Sequence, residues 1–210
     1  MFIVIEGIDG AGCETQAKNL KKFLKKDSVP YSFLKYPDYD RNIGKVIREF
    51  LYQNKDLTAQ NQFLLYSLQF LFDKEQISKD RKSKVVIADR YFTTTLCFQT
   101  LAGVEMGKAL RFADDFGIEK PDLVFYINVR PDVAIQRKAG ENKEKNRNEK
   151  DFELTKRTYT QYEKMVKDQV WTKWVDINGE QDIDSVTKDI YNILKSQISM
   201  TNKSPNLKSQ

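Results

Sequence analysis

Apolar residues along this chain fall into two kinds of pattern that take turns. Short unbroken runs at 2–5 (FIVI), 31–34 (YSFL), 85–88 (VVIA) and 123–129 (LVFYINV) show no polar alternation, and a weaker run, WVDI, lies at 174–177. Runs of that kind predict strands buried on both faces, as in a parallel sheet. Between them, apolar positions recur at helical spacing. In TQAKNLKKFLKK, residues 15–26, Ala17, Leu20, Phe23 and Leu24 share one face with lysines opposite. Val186, Ile190, Ile193, Leu194 and Ile198 repeat the pattern near the end, and 43–51, 61–80 and 155–168 also read as helix. The alternation predicts an α/β fold, a parallel sheet wrapped by helices on both faces. No repeat or linker divides the chain, so residues 1–198 read as a single domain and 199–210 (SMTNKSPNLKSQ) as a disordered tail.

The first strand-to-helix junction carries a chemical signature. GIDGAGCE, residues 7–14, follows an apolar strand and opens an amphipathic helix. That is the context of the phosphate-binding loop G-x-x-x-x-G-K-[ST], whose backbone N–H groups and helix dipole cradle phosphate. Gly7, Gly10 and Gly12 are in place, but Cys13 and Glu14 stand where lysine and a hydroxyl residue belong. The cradle is built of backbone and survives that change, yet the local formal charge drops by about 2. At ~4 Å and an effective dielectric near 20, each unit charge weighs ~4 kcal/mol before desolvation and screening. Either Glu14 approaches a metal, or it turns away and other cations supply the charge, or the site is weak or dead.

Composition narrows the classes. The 210 residues contain no histidine, which excludes a histidine base, ligand or triad. The two cysteines, Cys13 and Cys97, have no disulfide or metal spacing. No apolar run approaches the ~18 residues of a membrane span, and no signal peptide is evident, so a cytoplasmic protein without a membrane partner is expected. The net charge of +5 is mild and forms no stripe, so no nucleic acid partner is expected either. Basic residues gather most in RKAGENKEKNRNEK, 137–150, which reads as a solvated loop or as a mobile lid that closes on phosphate.

Four motifs in order resemble the thymidylate kinases, which phosphorylate dTMP with ATP. The first is FIVIEGIDGAG followed by Thr15 and Gln16, with Asp9 inside the loop. The second is KYPDYDRNIGKVIREFL from Lys35, the third DRYFTTTLCFQ from Asp89, and the fourth KPDLVFYINVRPDVAIQR, which enters the lid. The resemblance implies a three-layer P-loop nucleoside-monophosphate-kinase fold with five strands and a lid at about 137–152. It implies ATP on Gly7, Ile8, Asp9, Gly10, Ala11, Gly12, Cys13, Glu14 and Thr15, with Arg137 also on the ATP side. It places the acceptor among Asp9, Lys35, Tyr36, Tyr39, Arg90, Thr94, Thr95 and Phe98, the last crowding the ribose 2′ position. Mg²⁺ would lie near Asp89 and Glu14, and catalysis would fall to Asp9, Arg90 and Arg147. A homodimer is also implied.

The family's aromatic and arginine four residues apart, which read thymine, leave two registers open here: Tyr66 followed by Phe70, or Phe70 followed by Lys74. NRNE, 146–149, resembles the lid's D-R-x-E, so Arg147, among Arg137, Lys138, Lys143, Lys145 and Lys150, is the expected source of the charge missing from the loop. Two other readings stand beside a dTMP kinase: a kinase of the same fold for another deoxynucleotide, and a nucleotide-binding relative without turnover.

Overall fold

A computed structural model describes residues 1–53, 56–142 and 144–202. Its centre is β1 (Phe2–Glu6), every residue of which is buried. It pairs in parallel with β3 (Val85–Asp89) on one side and β4 (Leu123–Asn128) on the other. β2 (Tyr31–Lys35) extends the sheet beyond β3, and β5 (Trp174–Asn178) beyond β4, giving the order β2-β3-β1-β4-β5. Burial on both faces is why these strands read as unbroken apolar runs. Most strands run one residue further than the apolar pattern indicated, into Glu6, Lys35, Asp89 and Asn178, whereas β4 stops one short of Val129. The sheet thus ends in polar side chains at its C-terminal edge. From β1 the chain crosses to β2 on one side, and from its neighbour β3 it crosses to β4 on the other; the crevice at such a switch point is where α/β sheets bind ligands.

Eight helices flank the sheet among the described residues. α1 (Cys13–Lys26) begins two residues before the periodic pattern and buries Ala17, Leu20 and Leu24. α2 (Asn42–Tyr52), α3 (Ala59–Asp80), α7 (Phe152–Lys167) and α8 (Ile183–Asn202) match the expected segments, except that α8 passes the expected boundary at 198 and carries residues 199–202. The rest of the expected tail, 203–210, lies outside the described residues, as does Lys143. α4 (Phe92–Leu101), α5 (Met106–Phe116) and α6 (Pro131–Ala139) complete the set. Periodicity did not reveal α4, because Phe92, Thr93, Thr95, Leu96, Cys97 and Gln99 are buried over more than half of its circumference and the partly exposed remainder carries Phe98 and Leu101. A helix without a polar face has no amphipathic signal.

One buried carboxylate ties three of these elements. Glu6, at the end of β1, accepts hydrogen bonds from the hydroxyls of Thr93 (2.6 Å) and Thr94 (2.8 Å) on α4 and of Tyr162 (2.8 Å) on α7. The backbone N–H of Tyr91 adds a fourth at 3.3 Å, and Arg90 Nη1 lies 4.0 Å away. Burial pushes the Glu6 carboxyl above its ordinary range, opposed by Arg90 and by the hydroxyl donors. Replacing it by alanine strands several buried donors and a guanidinium. Glu6→Ala should cost about 3–5 kcal/mol, the range for breaking a buried charge network, read as a lower urea midpoint at equilibrium.

Candidate active site

Beyond β1 the chain turns back on itself and enters α1. Ala11 N–H donates to the Ile8 carbonyl at 3.0 Å, closing the turn. Gly10 and Gly12 sit at φ 91° and 97°, a region that other residues rarely adopt. A Cβ on Gly10 would lie 2.3 Å from the Ala134 carbonyl oxygen of α6, so the loop rests directly on that helix. Gly12 caps α1 without a side-chain hydrogen bond, which leaves the first-turn amides to an anion. Cys13 is 5% exposed and joins the core, and burial pushes its thiol well above the usual range. It is a small residue that fits, not an activated thiol.

The loop opens into a cavity of about 660 Å³. Of the residues expected at the nucleotide loop, Ile8, Asp9, Gly10, Gly12, Cys13, Glu14 and Thr15 line it, while Gly7 and Ala11 form the turn behind them. Lys35, Tyr36, Tyr39, Tyr66, Asp89, Arg90, Thr94, Thr95 and Phe98 line the same space. Segments as far apart in sequence as the end of β2, α4 and residues 138–157 therefore converge on it.

Arg90 is the pivot between them. Its Nη2 donates to Asp9 Oδ1 at 2.6 Å and its Nη1 to the Gly7 carbonyl at 2.9 Å. The residue stands at φ 66°, directly after β3, which aims the guanidinium across the end of β1. Asp89, one residue earlier, is buried, and that burial raises its pKa to about 6 against the opposing pull of Arg90 and Lys35. Tyr36 turns its hydroxyl away from the cavity, donating to Asp73 at 2.6 Å, and presents its ring.

The aromatic register resolves. Tyr66 lines the cavity, whereas Phe70 is 2% exposed and packs on Tyr36, Tyr91 and Phe92 in the core. Phe70, expected on the acceptor side, does not line the cavity: four residues along a helix from a wall residue, it falls deeper into the protein. Lys74 is turned to the Phe116 carbonyl, 3.0 Å from its Nζ, and takes no part in the cavity.

Two expected arginines lie outside the cavity lining. Arg137 Nη2 donates to the Gly179 carbonyl at 3.0 Å. Arg147 donates its backbone N–H to Leu51, stacks its guanidinium 4.9 Å from the Phe50 ring centroid and approaches Asp56 at 3.6 Å. The cations that do line the cavity include Lys18, Lys138 and Arg157. Lys138 is engaged by Glu141 and Glu149, both at 2.8 Å. Lys18 and Lys35 meet on Glu14, at 2.7 Å and 3.2 Å. Sequence reasoning passed over Lys18 and Arg157. The four-residue spacing of Glu14 and Lys18 on one helix was the available signal for the first; for Arg157 there was none beyond helix position.

Gly10→Ala should displace the loop from α6, because the new methyl has no room and the φ is unfavourable. A loss of at least about 1–2 kcal/mol is expected from the backbone alone, measured by urea unfolding.

With this geometry in hand, comparison with known proteins is direct. A family model described as Thymidylate kinase matches residues 5–190. A thymidylate kinase of Fervidobacterium nodosum is 31% identical over 204 residues, covering 94% of this chain and 100% of its own length. One from Plasmodium falciparum is 30% identical, over 90% of this chain and 87% of its own. One from Caldanaerobacter subterraneus is 32% identical, over 89% and 91%.

Proposed function

Because the chain belongs to the thymidylate kinase family, we propose that it transfers the γ-phosphoryl group of ATP to dTMP, giving ADP and dTDP. The observation that carries this reading is the single cavity joining the glycine loop, Arg90 and Phe98. ATP takes the loop of residues 7–15, its phosphates on the uncapped amides of α1. dTMP takes the other half, with its base on Tyr66, its sugar against Phe98 and between Asp9, Tyr36 and Tyr39, and its phosphate on Arg90, near Thr94 and Thr95. Its phosphate oxygen attacks the γ-phosphorus in line. That oxygen is already anionic near neutral pH, so the reaction needs no strong base, in keeping with a chain without histidine. What the protein supplies is position and positive charge. Asp9 serves by fixing the Arg90 fork, which then offers its remaining N–H groups to the acceptor.

Among the described residues no group of three or more acidic, histidine or cysteine side chains forms a metal cage. That suits Mg²⁺, which keeps waters and substrate phosphates as most of its ligands and takes one or two carboxylates. Asp89 would hold it; Glu14, expected beside it, has both carboxylate oxygens taken by lysines. When bound it neutralises charge on the phosphates.

The enzyme works in the cytoplasm, consistent with two unpaired buried thiols. No helix among the described residues is long and apolar enough to cross a membrane. It works as a homodimer, supported by an exposed apolar stripe on α3 at one-turn intervals: Leu64 (49%), Leu68 (42%) and Phe72 (72%). Phe72→Glu should halve the mass seen by light scattering; a wild-type monomer would sink the dimer.

A coupled ADP-release assay over a panel of monophosphates tests the activity. dTMP should be preferred over dUMP, purine deoxynucleotides and the ribonucleotide, and ATP binding without turnover of any of them would overturn the reading. In Arg90→Ala, kcat/KM for dTMP should fall on the order of 10³, with ATP affinity reduced far less. Equal losses for both ligands would remove Arg90 from the acceptor side.

A further inference from the structure

Resting on the reading that the loop binds ATP, we propose that Lys18 and Lys35, gathered at the loop mouth by Glu14, supply the phosphate-facing charge that the loop itself lacks. The two lysines come from different elements. Lys18 lies one turn into α1, on the face of Glu14, and reaches back so that its Nζ meets Glu14 Oε1 at 2.7 Å. Lys35 ends β2, and its Nζ meets the other oxygen, Oε2, at 3.2 Å. All three side chains line the cavity that holds Gly10 and Gly12.

Glu14 explains why both ammonium groups stay there. Two lysines alone would repel each other and swing into water, where their long side chains recover conformational entropy. A carboxylate between them cancels one charge and leaves the group at a net +1, the charge of the single lysine that position 13 would otherwise carry. Hydrogen bonds from Lys18 and Lys35 hold the Glu14 carboxyl at about 2, so the tether is ionised across the working pH range. Each ammonium has three N–H donors and spends one on Glu14. The lysine side chains remain 61% and 48% exposed, so the other donors are open to phosphate oxygens.

The elements divide the task. Lys18 stands beside the α1 amides and faces the donor phosphates. Lys35 pairs across the sheet with Asp89, next to Arg90, and faces the acceptor phosphate. With an ammonium on each oxygen, Glu14 acts as a positioning residue rather than a metal ligand. Arg147, packed on Phe50, is not required for this charge.

Calorimetric titration of ATP with Mg²⁺ and no acceptor, combined with steady-state kinetics, separates the roles. Lys18→Ala should weaken ATP binding about tenfold, as for loss of a charged hydrogen bond, and lower kcat, with Lys18→Arg retaining most of both. Lys35→Ala should raise KM for dTMP while leaving the ATP Kd within about threefold. Glu14→Gln should lower kcat more than it changes either KM, with the Mg²⁺ concentration for half-maximal rate unmoved. Lys26→Ala, at the far end of α1, serves as the control, and melting temperatures check folding. An ATP Kd within about twofold of the parent in the Lys18→Ala, Lys35→Ala double variant, folded as the parent is, overturns the proposal. So does a severalfold higher Mg²⁺ requirement in Glu14→Gln. A parent that binds ATP but phosphorylates nothing would refute the proposed activity and leave the Kd comparison to decide this inference.

Discussion

The architecture of the site depends on a carboxylate that never reaches it. Glu6 closes the central strand and gathers hydroxyls from α4 and α7. Burying a charge is costly unless it is fully hydrogen-bonded, and here the donors come from elements far apart in sequence. The start of α4 is therefore fixed relative to β1, and with it the turn bearing Arg90. Arg90 in turn grips the Gly7 carbonyl and Asp9. The network runs from a buried anion through a half-buried cation to a second carboxylate at the cavity wall, and each member is positioned by the one behind it.

The sheet was legible in the sequence because both its faces are covered, and so were the long helices with one polar face. α4 was missed because it lacks such a face, α5 was missed although it has one, and strand ends were misjudged because their last residues are polar. The residues that gather at the cavity, the loop, Asp9, Arg90 and Phe98, could be picked out from motifs, since they occupy fixed offsets from strand ends. The choice between Tyr66 and Phe70 could not, because both are aromatic residues on one helix and only the depth of α3 against α4 and β3 separates wall from core. The pairing of Lys35 with Glu14 was hidden for a similar reason: it joins the end of β2 to the first turn of α1, and only the docking of that helix on the assembled sheet brings the two together.

On the proposed reading, the two halves of phosphate recognition are separable in this loop. Its backbone contribution, the turn geometry and the uncapped helix amides, is intact with cysteine and glutamate in place. Its side-chain contribution has moved outward, into the second turn of α1 and the end of β2. Backbone donors are set by φ and ψ, which glycines at 10 and 12 determine, whereas ammonium groups on four-carbon stems can arrive from several directions.

The contact between Gly10 and the Ala134 carbonyl has a mechanical meaning. α6 leads on to Gly140 and beyond, and the glycine loop lies against its backbone with no side chain between. Side chains act as springs, absorbing small shifts through rotamer changes; two backbones in hard contact do not. A displacement of α6 towards the sheet is therefore transmitted to the loop undamped, and the loop in turn sets a stop on how far α6 can travel. α6 and the glycine loop are thus coupled mechanically through backbone alone, with no side chain to take up the slack.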